Sequence, residues 1–270
     1  MKNSLRKISE TRSFTIPAID LSCFESSSAD AVVARKAAAQ ALDRACSQIG
    51  FFYLYLPGLE DAAVRLLKRC HEFHDLPEDV KMSVSSQLSP MRRGYNVTWK
   101  PGNGGSCAAR AYVDPPDPKE VLMFGSEELD TTGDITRSEK SSTIHNGKSP
   151  MHGPNLWPDP EVLPEGWRAS LESDWSTMLG GARTLAKALA AALGEPPDVF
   201  DEAMREPATV LILLRYDASK LTAGSSTGCG AHTDCGFVVS RVPFSLSYLR
   251  VEKLIYGDMH PLLQSLQSLN

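Results

Sequence analysis

Apolar residues recur along this chain with two periods, and the change from one to the other marks the elements. Ile16, Ile19 and Leu21, set around Pro17, predict an extended piece over 14–21. Val33, Ala37, Ala41, Ala45 and Ile49 then follow at helical spacing. Asp30 stands as their N-cap and Gly50 as a left-handed stop. Residues 51–56 are continuously apolar and close on Pro57-Gly58, as a buried strand does. A second helix is predicted over 60–74, with Val64, Leu67, Cys70 and His74 on one face, ending ahead of Pro77. Strand, helix, strand and helix make a βαβ-like opening.

The pattern then loosens. Ser, Gly and Pro cluster at 83–90, 101–106 and 114–118, leaving short strands at 95–99 and 121–124. From 126 to 150 the chain is polar and aperiodic, which predicts a long surface loop, mobile or partly disordered. The clearest helix covers 165–193, where Trp167, Leu171, Trp175, Met178, Ala182, Leu185, Leu189 and Ala192 build one apolar stripe. Gly194 and Pro196-Pro197 end it. A short helix over 199–204 and a buried strand over 209–215 are expected next. A glycine- and serine-rich turn at 224–230 then leads into a strand bearing His232 and Asp234. There is no internal repeat.

Composition narrows the class without naming it. The chain has 270 residues, 42% hydrophobic and 23% charged, enough for a substantial core in a soluble globular protein. A net charge of −5 and the lack of a basic stripe interleaved with aromatics argue against a nucleic-acid partner. The apolar run Val210-Leu211-Ile212-Leu213-Leu214 is far too short to cross a bilayer, so no membrane partner is expected. Residues 1–12 carry Lys2, Arg6, Lys7 and Arg12 but no apolar stretch, and Glu10 interrupts them, against either a secretory signal or a transit peptide. A cytoplasmic location is the expectation. Six cysteines, at 23, 46, 70, 107, 229 and 235, form no Cys-x-x-Cys pair and read as reduced thiols.

The chemistry concentrates at Gly230-Ala231-His232-Thr233-Asp234. On a strand, residues two apart share a face, so this imidazole and carboxylate point together. Such a pair supplies two of the three ligands of the two-histidine, one-carboxylate set that holds non-haem Fe(II). A His-x-Asp also arises by chance in a chain with six histidines. Here the glycine turn and small neighbours leave room for a metal and a co-substrate. The segment His71-Glu72-Phe73-His74 is one residue short of the zinc motif His-Glu-x-x-His and belongs to a helix end. His145 and His152 fall in loop sequence and are expected to be exposed.

Several ordered motifs carry a resemblance. They are Ile16-Pro17-Ala18-Ile19-Asp20-Leu21, Ile49-Gly50-Phe51-Phe52-Tyr53, Phe73-His74-Asp75-Leu76-Pro77-Glu78 with Lys81, and Arg93-Gly94-Tyr95. Downstream come Asp117-Pro118-Lys119-Glu120 before Phe124-Gly125, Gly153-Pro154-Asn155-Leu156-Trp157-Pro158, Leu213-Leu214-Arg215-Tyr216 and the His232/Asp234 segment. Over residues 14–237 the chain resembles the iron(II)- and 2-oxoglutarate-dependent dioxygenases of the isopenicillin N synthase-like group.

That resemblance implies an α+β fold: an N-terminal α/β unit and a long supporting helix around a double-stranded β-helix, or jelly-roll, core. It divides the chain into a tail (1–13), a dioxygenase N-terminal-type region (14–125), a loop-rich connection (126–160), supporting helices (161–205), the start of the oxygenase domain (206–237) and a divergent segment (238–270). It implies Fe(II) held by His232 and Asp234, and 2-oxoglutarate contacted by Tyr216, which otherwise reads as a core tyrosine. Arg215 alternates to the other face and reads as structural. The partners implied are O2 and a small-molecule substrate, which is oxidised as 2-oxoglutarate yields succinate and CO2.

After Phe237 the resemblance lapses. The family runs on to a distal histidine and an Arg-x-Ser. This chain offers His260, without the expected surroundings, and an Arg-x-Ser only at Arg168-Ala169-Ser170, inside the predicted long helix. The expectation is a core incomplete at the C-terminus, as an alternative splice, frameshift or gene-model error produces, with impaired turnover. A catalytically inactive binding protein and a zinc hydrolase stand as alternatives.

Overall fold

The structure, a computed structural model, describes residues 15–97, 119–127, 152–205, 207–217, 238–242 and 249–252. Among these, two sheets form, joined through one long helix. Sheet A is built from β1 (Ala18–Asp20), β2 (Phe51–Tyr55), β6 (Val239–Arg241) and β7 (Leu249–Glu252), in the order β1-β2-β7-β6. β1 and β2 run parallel, and α1 (Ala31–Gln48) connects them, so the βαβ opening is as expected. Sheet B is antiparallel, in the order β3 (Gly94–Val97), β4 (Lys119–Gly125), β5 (Val210–Tyr216).

Three further helices complete the frame: α2 (Leu59–His74), α3 (Glu78–Met82) and α4 (Trp167–Leu193). α4 serves both sheets. Its C-terminal half sends Leu185, Ala188 and Leu189 into a core with Leu42 and Cys46 of α1 and Phe52 and Leu54 of β2. Its N-terminal half places Trp167 and Leu171 in a second core with Phe73 of α2, Tyr95 of β3, Leu122 and Phe124 of β4 and Leu213 of β5. Each such leucine or phenylalanine taken out of water contributes roughly 1.5–3 kcal/mol. Gly50 and Gly194, the predicted helix stops, have φ of 82° and 76°.

Several expectations need correction. α1 begins after Asp30 as predicted, but the Asp30 side chain makes no capping bond. The first helical N–H groups are met by Ser28 and Ala29 carbonyls instead. α1 buries Ala31, Ala39, Leu42, Ala45 and Cys46, and Val33 is exposed; the bulk of Leu42 and Cys46, seated on α4, selects that face over the alanine series. In α2 the buried face runs through Leu66 and Phe73, with Val64 outside. Residues 199–204 form turns rather than a helix, held by bonds such as Met204 N–H to Phe200 O. α3 has no counterpart in the sequence expectations; Pro77 precedes it with an extended ψ of 149°.

The jelly roll expected from 206 onward would draw on β5, β6 and β7, and these described strands lie in two different sheets. β7 pairs with β2 and β6 with β7, so the divergent C-terminal segment adds strands to sheet A. The predicted loop at 126–150 lies outside the described residues from 128 onward. No helix among the described residues is long and apolar enough to cross a membrane.

Candidate functional site

Sheet B gives each of its strands two unlike faces. On β4, Glu120, Leu122 and Phe124 point into the helical layer and are buried, while Lys119, Val121 and Met123 alternate outward and are half-buried. On β5, Leu211 and Leu213 join the core, and Val210, Ile212 and Tyr216 stand outward at 44%, 46% and 41% exposure. Tyr216 is therefore no core tyrosine. Arg215 does alternate to the helix-covered face, as the strand period requires.

On that covered face lies a polar cluster that sequence reasoning missed. Glu120 Oε2 accepts from Lys81 Nζ at 2.7 Å and from the Tyr95 hydroxyl at 2.8 Å, and Oε1 accepts from Arg215 at 2.8 Å. Lys81 also donates to the His74 carbonyl at 3.1 Å, and Arg215 reaches Asp75 at 3.1 Å. Burial alone would raise the Glu120 carboxyl, but the bonds from Lys81, Arg215 and Tyr95 outweigh it and hold the group at about 2. Burial, reinforced by the neighbouring carboxylate, pushes the Tyr95 phenol up.

His74 belongs to the same cluster. Burial holds its imidazole below the ordinary value, so the ring is neutral. Its Nε2–H donates to the Leu213 carbonyl at 3.2 Å, because a carbonyl only accepts. Its Nδ1 faces Glu120 Oε2 at 3.4 Å. The cluster thus ties α2, α3, β3, β4 and β5 together, and each of its titratable groups is committed to a partner. The only hint in the sequence is that Glu120 shares the period-two alternation of Leu122 and Phe124, which does not by itself mark it as a hub.

A second clamp lies at the other end of β4. The buried Arg93 guanidinium donates to the Gly153 carbonyl at 2.6 Å and the Ser126 carbonyl at 3.2 Å. The Asn155 side chain brackets the Gly125 peptide, accepting from its N–H and donating to its carbonyl, both at 2.8 Å. The Arg-Gly-Tyr and Gly-Pro-Asn motifs are therefore structural here. The Arg-x-Ser at 168–170 is equally structural: Arg168 lies over the Trp157 ring at 4.2 Å and pairs with Glu172 at 2.8 Å.

Of the predicted site residues, the structure describes Tyr216. His232, Asp234 and His260 lie outside the described residues. Among the described residues, no group of three His, Cys, Asp or Glu is arranged to hold a metal. His152, expected to be exposed, is half-buried. Cys23, Cys46 and Cys70 are free thiols, and burial pushes Cys46 to about 12 and Cys70 to about 11, which leaves them inert near neutral pH. A cavity of 640 Å³ between α1 and α4, with Arg35, Lys36, Asp43, Lys187 and Glu195 in its wall, contains none of the predicted site residues.

This arrangement has relatives. A Caulobacter crescentus protein of the 2OG-Fe(II) oxygenase family superposes with a TM-score of 0.60 at 18% identity, over 88% of this chain and 74% of that one. A full-length Neurospora crassa protein in complex with alpha-KG and thymine gives 0.63 at 20%, over 91% and 76%. The fold is that of the 2-oxoglutarate- and iron-dependent oxygenases.

Sequence carries the assignment further. Residues 16–160 match the family model for the non-haem dioxygenase in morphine synthesis N-terminal region. The 2-oxoglutarate-dependent dioxygenase caaD of Aspergillus niger is 30% identical over 226 residues, covering 82% of this chain and 61% of that protein. A 2-oxoglutarate-dependent dioxygenase of Didymella fabae is 30% identical over 223 residues, covering 80% and 62%. This chain belongs to the 2-oxoglutarate-dependent dioxygenase family. It spans about three fifths of the length of these curated relatives.

Proposed function

We propose that this chain uses Fe(II) and 2-oxoglutarate to oxidise a small organic molecule with O2. The observation that carries the reading is the place of Tyr216. It ends β5 with its side chain 41% exposed, on the face of sheet B away from the helices, and in sequence it precedes the segment that carries His232 and Asp234. The donor set of an imidazole and a carboxylate suits Fe(II), so His232 and Asp234 would hold the metal, and the metal would supply the oxidative chemistry.

The chain's own residues would do the rest. The Tyr216 hydroxyl would donate to a carboxylate of 2-oxoglutarate and fix its orientation. The apolar side chains of the same face, Ile212 and Met123, would exclude water from the organic substrate. Glu120, Lys81 and Arg215 would hold β5 in register behind them.

The test is 2-oxoglutarate turnover by the 270-residue chain with Fe(II), read as succinate, beside His232→Ala and Asp234→Ala. Iron-dependent succinate that either substitution abolishes is the expected result. A chain that binds Fe(II) yet turns over no 2-oxoglutarate would overturn the enzymatic reading in favour of a binding role. Stoichiometric zinc in the purified protein would favour the hydrolase.

A further inference from the structure

β2 carries a sequence that makes an open edge hazardous. Its run Phe51-Phe52-Tyr53-Leu54-Tyr55-Leu56 holds no charge, proline or glycine, the composition that pairs edge to edge with copies of itself. In this fold β1 lies on one side of β2 and β7 on the other. The Tyr53 N–H donates to the Pro17 carbonyl at 2.8 Å, and the Tyr55 carbonyl accepts from the Leu21 N–H, so these residues turn toward β1. Successive backbone groups point to opposite edges of a strand, so Phe52 and Leu54 turn the other way. Val251 stands opposite Phe52 there, and Leu249 opposite Leu54, and each pair exchanges backbone hydrogen bonds. Phe52 and Leu54 are 1% and 3% exposed, so without β7 their peptide groups would stand unpaired at the border of the core.

The alternation continues outward. Since Leu249 and Val251 face β2, Arg250 and Glu252 turn to β6, where they meet Arg241 and Val239. Ser240 therefore points its N–H away from the sheet. Val238 and Val242, on either side of β6, pack against the core that Phe52 and Leu54 enter. The rim of the sheet thus passes from a five-residue apolar strand to a three-residue one with a serine and an arginine, a short and charged edge that recruits other chains poorly. We propose that β7, backed by β6, is a strand clasp, and that the β2 edge beneath it is a self-association site fitted to the β2 strand of a second copy. Two such edges laid antiparallel about a two-fold axis would satisfy each other and close, giving a dimer. The proposal is independent of the function proposed above.

The experiment is hydrogen–deuterium exchange read amide by amide on the 270-residue chain, with light scattering across a range of protein concentration. Val251→Pro removes the N–H that the Phe52 carbonyl accepts, on an inner strand where proline is not accommodated. Ser240→Pro is the control, because its N–H faces outward on the edge strand. In Val251→Pro the Phe52 and Leu54 amides should exchange about 10-fold faster or more, while Tyr53 and Leu122 of sheet B hold their protection. The same variant should dimerise at concentrations where wild type and Ser240→Pro do not. Adding Tyr55→Lys, a charge at an exposed position of β2, should restore the monomer. Equal exchange at Phe52 and Leu54 in wild type and Val251→Pro overturns the clasp. Freed amides in a chain that stays monomeric overturn the self-association site. If Leu122 accelerates as well, wild type in urea below its unfolding midpoint decides the matter. Phe52 and Leu54 should then open at lower urea than Leu122, with scattering rising over the same range, and opening together overturns the clasp.

Discussion

Arg215 and Glu120 face each other across β4 and β5, joined at 2.8 Å on the face that the helices cover, and Lys81 closes on the same carboxylate from α3 at 2.7 Å. Two cations thus share one buried anion. Removing the anion leaves the buried Lys81 uncompensated, while Arg215 keeps only its exposed contact to Asp75, and breaking a buried pair in this way costs about 3–5 kcal/mol. Glu120→Gln should lower stability by that amount in urea unfolding. Lys81→Met should cost less, because Arg215 and Tyr95 still serve the carboxylate.

The same cluster sets a direction for acid sensitivity. Glu120 titrates at about 2 in the fold, against 4.5 for an unperturbed group. Its contribution is therefore fully present above pH 4.5 and fades as pH falls from there toward 2, a total on the order of 3 kcal/mol. His74 adds an earlier phase. Its folded value is lowered from 6.5, so below pH 6.5 the unfolded chain takes up a proton that the folded chain refuses, and stability falls. Urea midpoints measured between about pH 7 and pH 5 should decline in wild type. In His74→Gln, which removes the titrating ring, they should be flatter across that interval.

How much of this was legible in the sequence differs by level. The helices α1, α2 and α4 follow from periodicity, α1 and α4 with their glycine stops, because a 3.6-residue repeat has few other readings. The faces they bury do not follow. Val33 and Val64 lie on predicted apolar stripes yet are 78% and 61% exposed. In an alanine-rich helix several stripes compete, and the winner is whichever packs on Leu185 and Leu189. Glu120 was not legible as a hub, since a lone glutamate in a strand looks solvent-facing and its partners Lys81, Tyr95 and Arg215 lie 39, 25 and 95 residues away. Tyr216 could be placed at a strand end from its apolar run, but its neighbour Lys119 required the register of β4 on β5.

A backbone constraint gives the next prediction. Gly94 opens β3 with φ at 111°, a conformation that side chains disfavour, and a Cβ there would run into the Val84 carbonyl oxygen. The Tyr95 N–H donates to that carbonyl at 2.7 Å, so the obstacle is fixed in place. Strain and overpacking act together, each of order 1–3 kcal/mol. Gly94→Ala should therefore destabilise the fold by about 3 kcal/mol. An unchanged melting temperature would contradict this account of β3.

The last prediction separates the value of an ion pair from the cost of breaking it. Arg65 of α2 reaches Asp174 of α4 with two nitrogens, at 2.9 and 2.7 Å, both on Oδ1. Asp174 is 2% exposed and its Oδ2 has no hydrogen-bond partner among the described residues, whereas the Arg65 side chain is 49% exposed. The carboxylate thus bears a burial penalty that a single half-solvated guanidinium only partly offsets. Arg65→Met leaves that charge alone and should be clearly destabilising. Asp174→Leu removes the buried charge and places an apolar group one turn beyond Leu171, so it should be close to neutral, and it should rescue Arg65→Met in the double variant. A double-mutant cycle in urea unfolding measures this directly, with a coupling above about 1 kcal/mol expected for residues in contact. Purely additive losses would mean that the α2–α4 contact is held by packing alone.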